Sequence, residues 1–218
     1  PQFEVVDIDG GLLIGVRRKA EPGFSYWRVT PWIMPCFTQV PPRADHPIHG
    51  HFWVPIDDEN CWAWSFDYHP TRPLREQEVT AMKNGAGIHC KYVPGTYIPL
   101  ANKSNDYLMD REKQRSGELY SGIQGIAIQD SSLQESMGPI QDRSREHLTK
   151  TDRGIVQARR RLIDAAQALA THGTPPPGTS PTHQKIRSVA KVLPETAIFH
   201  EAAREDFLAE PGKPHTTV

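Results

Sequence analysis

The stretch AIQDSSLQESMGPIQDRSREHL (residues 127–148) sets one carboxylate, Asp130, directly after an apolar run. A carboxylate at such a boundary is a helix cap, a half-buried acceptor or a metal ligand, and generic principles favour the cap or the acceptor over the ligand. A second candidate is ADHPIHGHFW, where His46, His49 and His51 fall close together. His46-x4-His51 is a spacing that metal sites use. Pro47 argues that no strand begins early enough to align His49 with His51. The favoured reading is a polar loop whose imidazoles are solvated or bonded to the backbone. The acids of PIDDEN (55–60) suit a hairpin turn as well as a metal loop. Arg28, in YWRVT, either pairs with a carboxylate at the core edge or holds an anionic substrate bidentately. The arginine run 159–161 reads as a solvated helix face rather than a phosphate site.

The elements that must position these groups divide by period. FEVVDIDGGLLIGVRR reads as two strands around Gly10-Gly11, a hairpin signal. SYWRVTPWIMPCFTQV is strand-like and broken by Pro31 and Pro35. In the next hairpin Phe52, Val54 and Ile56 alternate before the turn; Trp62, Trp64, Phe66 and Tyr68 alternate after it. Period-two alternation marks strands with one buried face, so these aromatics are expected in the core. Consecutive strands without intervening helices imply an antiparallel sheet. The second half reads as helical: residues 107–116, then about 122–137 with Ser132-x-x-Glu135 as a capping box, then Thr151 to about Thr171. In the last, Thr151 and Asp152 are cap candidates, and Ile155, Ala158, Leu162, Ala166 and Leu169 form an apolar stripe ended by Gly173 and Pro175. GTPPPGTSP (173–181) reads as an extended linker, residues 195–209 as a further helix, and the last ten residues as loose.

With 218 residues the chain can bury a real core in one domain. The net charge of −1 gives no global field for nucleic acid or an anionic membrane surface. No apolar run reaches the roughly 20 residues of a spanning helix. Cys36, Cys61 and Cys90 lie far apart without a C-x-x-C pair, which suggests reduced thiols and a cytoplasmic setting. The chain opens without Met in strand-like sequence, so the expectation is a piece of a longer protein.

GIQGIAIQDSSLQESMGPIQDRSREHLTKTDRGIVQARRRLIDAAQ (122–167) resembles the C-terminal half of the catalytic domain of Rieske non-haem iron aromatic-ring-hydroxylating oxygenases. The oxygenase (large) subunits of the phthalate and phenoxybenzoate dioxygenase type are the nearest group. NDYLMDREKQRSGE (105–118), GHFWVPIDDENCW (50–62) and YWRVTPWIMP (26–35) extend the likeness, in order, over roughly residues 1–175.

The resemblance implies an α+β fold of the helix-grip (START-like) type, a curved antiparallel sheet wrapped around a long C-terminal helix. It implies residues 1–175 as the catalytic domain, lacking its N-terminal part, and 176–218 as a partly helical linker and extension. It makes Asp130 a ligand of a mononuclear Fe(2+), beside two histidines of a D-x2-H-x4-H motif. Gln129 and Glu135 become candidates to support that ligand, and Arg28 a candidate for binding an acidic aromatic substrate. The cofactors implied are O2, a [2Fe-2S] Rieske cluster and NAD(P)H acting through a reductase or ferredoxin. The assembly implied is a homo-trimer or hexamer. The histidine motif and the cluster signature are absent here; Arg43 stands where the motif around His46 and His51 would need Asp. The 218 residues alone are therefore expected to be inactive. Two other readings stay open: a helix-grip module that binds an apolar ligand without chemistry, and a separate metal site at His46, His49 and His51.

Overall fold

A computed structural model describes residues 1–215, so the last three residues of the expected loose tail lie outside the description. The chain forms two compact units. The first comprises Pro1–Val54, Cys61–Pro73 and the chain from Glu146 onward; the second comprises Pro55–Asn60 and Leu74–Arg145.

The first unit is built on a seven-stranded antiparallel sheet: β1 (Gln2–Ile8), β2 (Gly11–Lys19), β3 (Phe24–Ile33), β4 (Phe37–Val40), β5 (Ile48–Pro55), β6 (Cys61–Tyr68) and β7 (Val189–Pro194). The first six lie in chain order, as hairpin connections dictate. Both expected hairpins are present. β3 runs straight through Pro31, because its far edge changes partner there. β7 pairs with Phe24–Val29, and β4 pairs with Trp32 and Ile33. A residue without an N–H loses no ladder bond on that flank.

One face of the sheet carries Leu13, Trp27, Val29, Val189 and Leu193 against Phe199, Ala203 and Phe207 of the C-terminal segment. Trp27 stacks on Phe199 with ring centroids 4.7 Å apart. The other face carries Leu12 and Trp32, with Met34, Val5 and Ile14, against Ala158 and Ala165 of a long helix, α4 (Arg153–His172). The fold is thus α+β, a curved antiparallel sheet with a long helix on one face, as the helix-grip resemblance implies.

A 3-10 turn, Lys150–Asp152, leads into α4; Thr149 caps that turn, accepting from the Thr151 N–H while the Asp152 carboxylate accepts from the Thr149 N–H. Of the two expected caps, Asp152 takes the N-cap position of α4, without a side-chain cap bond, and Thr151 does not. Gly173 ends the helix in the left-handed conformation, φ +64°. Of the expected apolar stripe only Ala158 docks. Ile155, Leu162 and Leu169 are exposed, and the face on the sheet is Gly154, Ala158, Arg161 and Ala165. Close approach is the reason: a Cβ on Gly154 would lie 3.0 Å from the Ile14 side chain, so only small residues fit. Arg161 crosses from this face to the β1–β2 turn, donating to the carbonyls of Ile8 and Gly11 and to Asp7. Arg159 pairs bidentately with Glu146 at 2.6 and 2.8 Å.

The aromatic alternation of β6 also differs from expectation. Trp64 is 54% exposed and Trp62 37%, so neither is core in this chain. Only the inner end of that face is packed, by Phe37, Phe52 and Phe66. The proline-rich linker is docked: Gly178 donates to His183 and its carbonyl accepts from Gln184. The expected helix at 195–209 is a single turn, α5 (Phe199–Ala202), followed by a 3-10 turn at Arg204–Phe207. Buried Arg187 fixes this segment by donating to the carbonyls of Asp206, Lys213 and Pro214.

The second unit contains α1 (Glu76–Lys83), α2 (Arg111–Ser116) and α3 (Ile126–Ser136). α2 is the latter half of the helix expected at 107–116. Its former half is a 3-10 turn in which Asp106, Tyr107 and Leu108 have positive φ. Asp110 caps α2 by accepting from the N–H groups of Glu112 and Lys113.

Candidate functional site

Asp130 is the fifth residue of α3, one full turn inside the helix. It is therefore no N-cap; α3 starts from Gly125, in the left-handed region at φ +84° and without a side-chain cap. Ser132 is no cap either. It lies mid-helix and its hydroxyl donates to the Gln129 carbonyl at 2.7 Å, which removes the expected capping box. α3 buries Ile128, two residues before Asp130 and so on the opposite side of the helix. Asp130 shares its own face with Ile126, Leu133 and Met137, at helical spacing, and all four are exposed. Among the described residues its carboxylate makes no side-chain hydrogen bond. The exposed neighbours of this carboxylate are mostly apolar, with Gln134 one turn on as the polar one.

Gln129 turns away from that face and donates to the Ile123 carbonyl at 3.0 Å, closing the loop that leads into α3. Glu135 accepts from the Tyr107 hydroxyl at 2.6 Å. Desolvation, and then the Glu135 carboxylate, push the Tyr107 phenol up to about 12. Positive-φ backbone at three successive non-glycine residues is costly, and the Tyr107–Glu135 bond is one contact that holds it.

In the first unit, β5 begins at Ile48, immediately after Pro47. His49 and His51 therefore do share a strand face, contrary to expectation, and His46 lies exposed in the preceding loop. Register fixes which face. Trp32 pairs with Thr38, and Thr38 with His51, so both histidines stand on the side of the sheet that faces α4. The His49 Nδ1 is 2.6 Å from Asp67 of β6, whose side chain is 5% exposed. His51 stacks on Trp53 with centroids 4.8 Å apart. Arg28 stands on the same face, four residues from Trp32 along β3. Its Nη2 donates to the Pro41 carbonyl at 2.7 Å, and its Nη1 is buried with no partner among the described residues. The edge-carboxylate partner expected for Arg28 is thus replaced by a backbone carbonyl. Sequence reading missed Asp67; its one signal is a charge on the strand face opposite the β6 aromatics.

No cluster of three or more His, Cys, Asp or Glu able to hold a metal occurs among the described residues. His46, His49 and His51 do not converge, which removes the separate metal site. An octahedral iron centre needs more than the one carboxylate of Asp130, so the described residues do not by themselves complete such a centre. No helix among the described residues is long and apolar enough to cross a membrane.

Comparison with known proteins agrees with the residue-level likeness. Residues 16–210 match the family described as LigXa C-terminal domain like. The chain is 34% identical to the 3-chlorobenzoate-3,4-dioxygenase oxygenase subunit of Comamonas testosteroni, over 84% of this chain and 45% of that subunit. It is 31% identical to the phthalate 4,5-dioxygenase oxygenase subunit of Pseudomonas putida, over 66% of this chain and 32% of that subunit. The chain thus spans less than half the length of these curated relatives. The resemblance to oxygenase subunits seen in residues 122–167 is borne out, and the chain belongs to the LigXa C-terminal domain-like family.

Proposed function

We propose that these residues are the C-terminal part of the catalytic domain of a Rieske-type aromatic-ring oxygenase, acting on an aromatic acid or aryl ether. The names of the two curated relatives support the reaction class and the acidic arene. The observation that carries the reading is the exposed face of α3, where the Asp130 carboxylate stands beside Ile126, Leu133, Gln134 and Met137 and makes no side-chain hydrogen bond among the described residues. A carboxylate with no internal partner gives up no hydrogen bond within the protein when it takes a cation. In this reading Asp130 is the carboxylate ligand of a mononuclear Fe(2+), and the Arg28 guanidinium holds the substrate's anionic group. Gln129 orders the loop that enters α3, and Glu135 with Tyr107 orders the turn packed on it. The [2Fe-2S] cluster, the reductase that delivers electrons from NAD(P)H, O2, a homo-trimeric or hexameric assembly and a cytoplasmic setting belong to the same proposal. Residues 1–175 would be the catalytic part and 176–218 its extension.

Asp130→Ala in the complete gene product tests the ligand role by metal analysis. The expected result is loss of most of the bound iron with an unchanged far-UV circular dichroism spectrum. Wild-type iron content in the variant refutes the assignment. A non-catalytic ligand-binding module is the second reading, favoured by the lack of a three-ligand group among the described residues. It requires that the complete product bind no iron at all.

A further inference from the structure

The C-terminal tail borders a polar cavity of the first unit. The cavity, about 150 Å³, lies between the loop before β5 (Ala44, Asp45), the segment after β6 (His69, Thr71) and the tail itself (Pro214, His215). Two anchors hold the tail there. Buried Arg187 donates to the carbonyls of Lys213 and Pro214, each at 2.7 Å. His215 is the second anchor. Its ring meets that of His69 edge to face, with centroids 4.8 Å apart, and its Nε2 lies 3.4 Å from the Ala44 carbonyl oxygen. A carbonyl only accepts, so the Nε2 carries a hydrogen. The other ring nitrogen, Nδ1, is enclosed and has no partner among the described residues.

That enclosure makes the seat selective for a neutral ring. A proton on Nδ1 would create a cation shielded from water and a donor without an acceptor. The charged and titratable groups that face His215 do not offset this. Arg187 is itself a cation. The Asp45 carboxylate is engaged by the His69 Nε2 at 2.9 Å and by the Arg72 Nε at 3.4 Å. The His69 Nδ1 faces the N–H and the hydroxyl of Thr71. Burial first, then the neighbouring His69, hold the His215 imidazole below its ordinary value; Arg187 adds to them, while the Ala44 carbonyl and Asp45 oppose.

We propose that His215 is a pH-sensitive latch, seated against His69 and Ala44 as the neutral ring and expelled, with the end of the tail, when the ring gains a proton. The contribution to docking is complete above the ordinary imidazole value of about 6.5 and is lost as pH falls toward the lower docked value. One proton is linked to release, so within that interval the ratio of docked to released tail falls about tenfold per pH unit. The latch does not depend on the oxygenase reading.

The test follows ring and tail together in the 218-residue chain by nuclear magnetic resonance, from about pH 8 to about pH 5. Backbone ¹⁵N relaxation reports the order of Lys213 and His215, and the imidazole carbon shift reports protonation of His215. The amide of Val29, in β3, is the core control. The expected tail is rigid at the alkaline end and mobile at the acid end, with one midpoint for release and for the ring, below about 6.5, while Val29 stays rigid. His215→Phe, a ring that cannot charge, removes the acid step. His215→Arg, always charged, is loose already at the alkaline end. A wild-type tail equally rigid at both ends overturns the inference. So does a release whose midpoint departs from that of the ring, that persists in His215→Phe, or that loosens Val29 at the same pH.

Discussion

Arg161 offers the sharpest energetic test of how the helix is held to the sheet. Its Nη1 reaches three oxygens: Asp7 at 3.0 Å, the Ile8 carbonyl at 2.9 Å and the Gly11 carbonyl. Two protons serve three acceptors, so about two full bonds are made. The Asp7 side chain is 70% exposed, and water screens that pair to about 0.5 kcal/mol or less. The carbonyls are part-buried, and each charge-assisted bond to them is worth about 1–1.5 kcal/mol. Arg161→Ala should therefore cost about 2–3 kcal/mol in equilibrium urea unfolding, whereas Asp7→Asn should cost under about 0.5 kcal/mol. Arg161→Lys, with one compact ammonium in place of a fork, should fall between them. If Arg161→Ala costs no more than Asp7→Asn, the carbonyl contacts contribute nothing. Alanine packing alone would then hold α4 on the sheet.

Two further outcomes follow from local geometry. A Cβ on Gly11 would stand 1.9 Å from the Trp32 carbonyl oxygen, which is backbone and cannot step aside. Gly11→Ala should cost about 3 kcal/mol or more, against about 1 kcal/mol for Gly173→Ala, which meets open space and only the strain of its left-handed φ; comparable losses in chemical denaturation would contradict the close approach. The raised Tyr107 phenol gives a pH effect of definite sign. The folded state holds that proton more tightly, so the stabilisation is complete below pH ~10 and is lost as pH rises toward about 12. Phenolate absorbance should show Tyr107 among the late-ionising tyrosines, and Tyr107→Phe should remove one late phenol and flatten the stability loss in that window.

What the residues alone reveal is set by range. The hairpins β1–β2 and β5–β6 and the extent of α4 and α3 were legible, because period and turn chemistry act within a dozen residues. The side on which α4 docks was not. Hydrophobicity pointed to Ile155, Leu162 and Leu169, while the available depth over Ile14 selected glycine and alanine instead. β7 was missed because its six residues carry no local signal beyond apolarity, and its partner lies at the other end of the chain. Asp130 was legible as a position but not as a neighbourhood, since its apolar companions matter only once helical spacing gathers them. The His49–Asp67 contact was invisible for the same reason: each residue reads as ordinary until register brings two strands together.

The way β3 divides its outer edge between two partners bears on how the molecule is made. Val29 meets Val189, 160 positions later, whereas Trp32 meets Thr38 within a few residues. A nascent chain can zip the early hairpins as they emerge, but half of the β3 edge stays open until Val189–Pro194 has left the ribosome. Contacts of such separation form slowly, and an unpaired strand edge invites wrong neighbours meanwhile. Shortening the protein after α4 should therefore yield aggregates rather than a smaller soluble fold. β7 and the segment packed behind it, through Phe207, act as the clasp that closes the outer edge of β3.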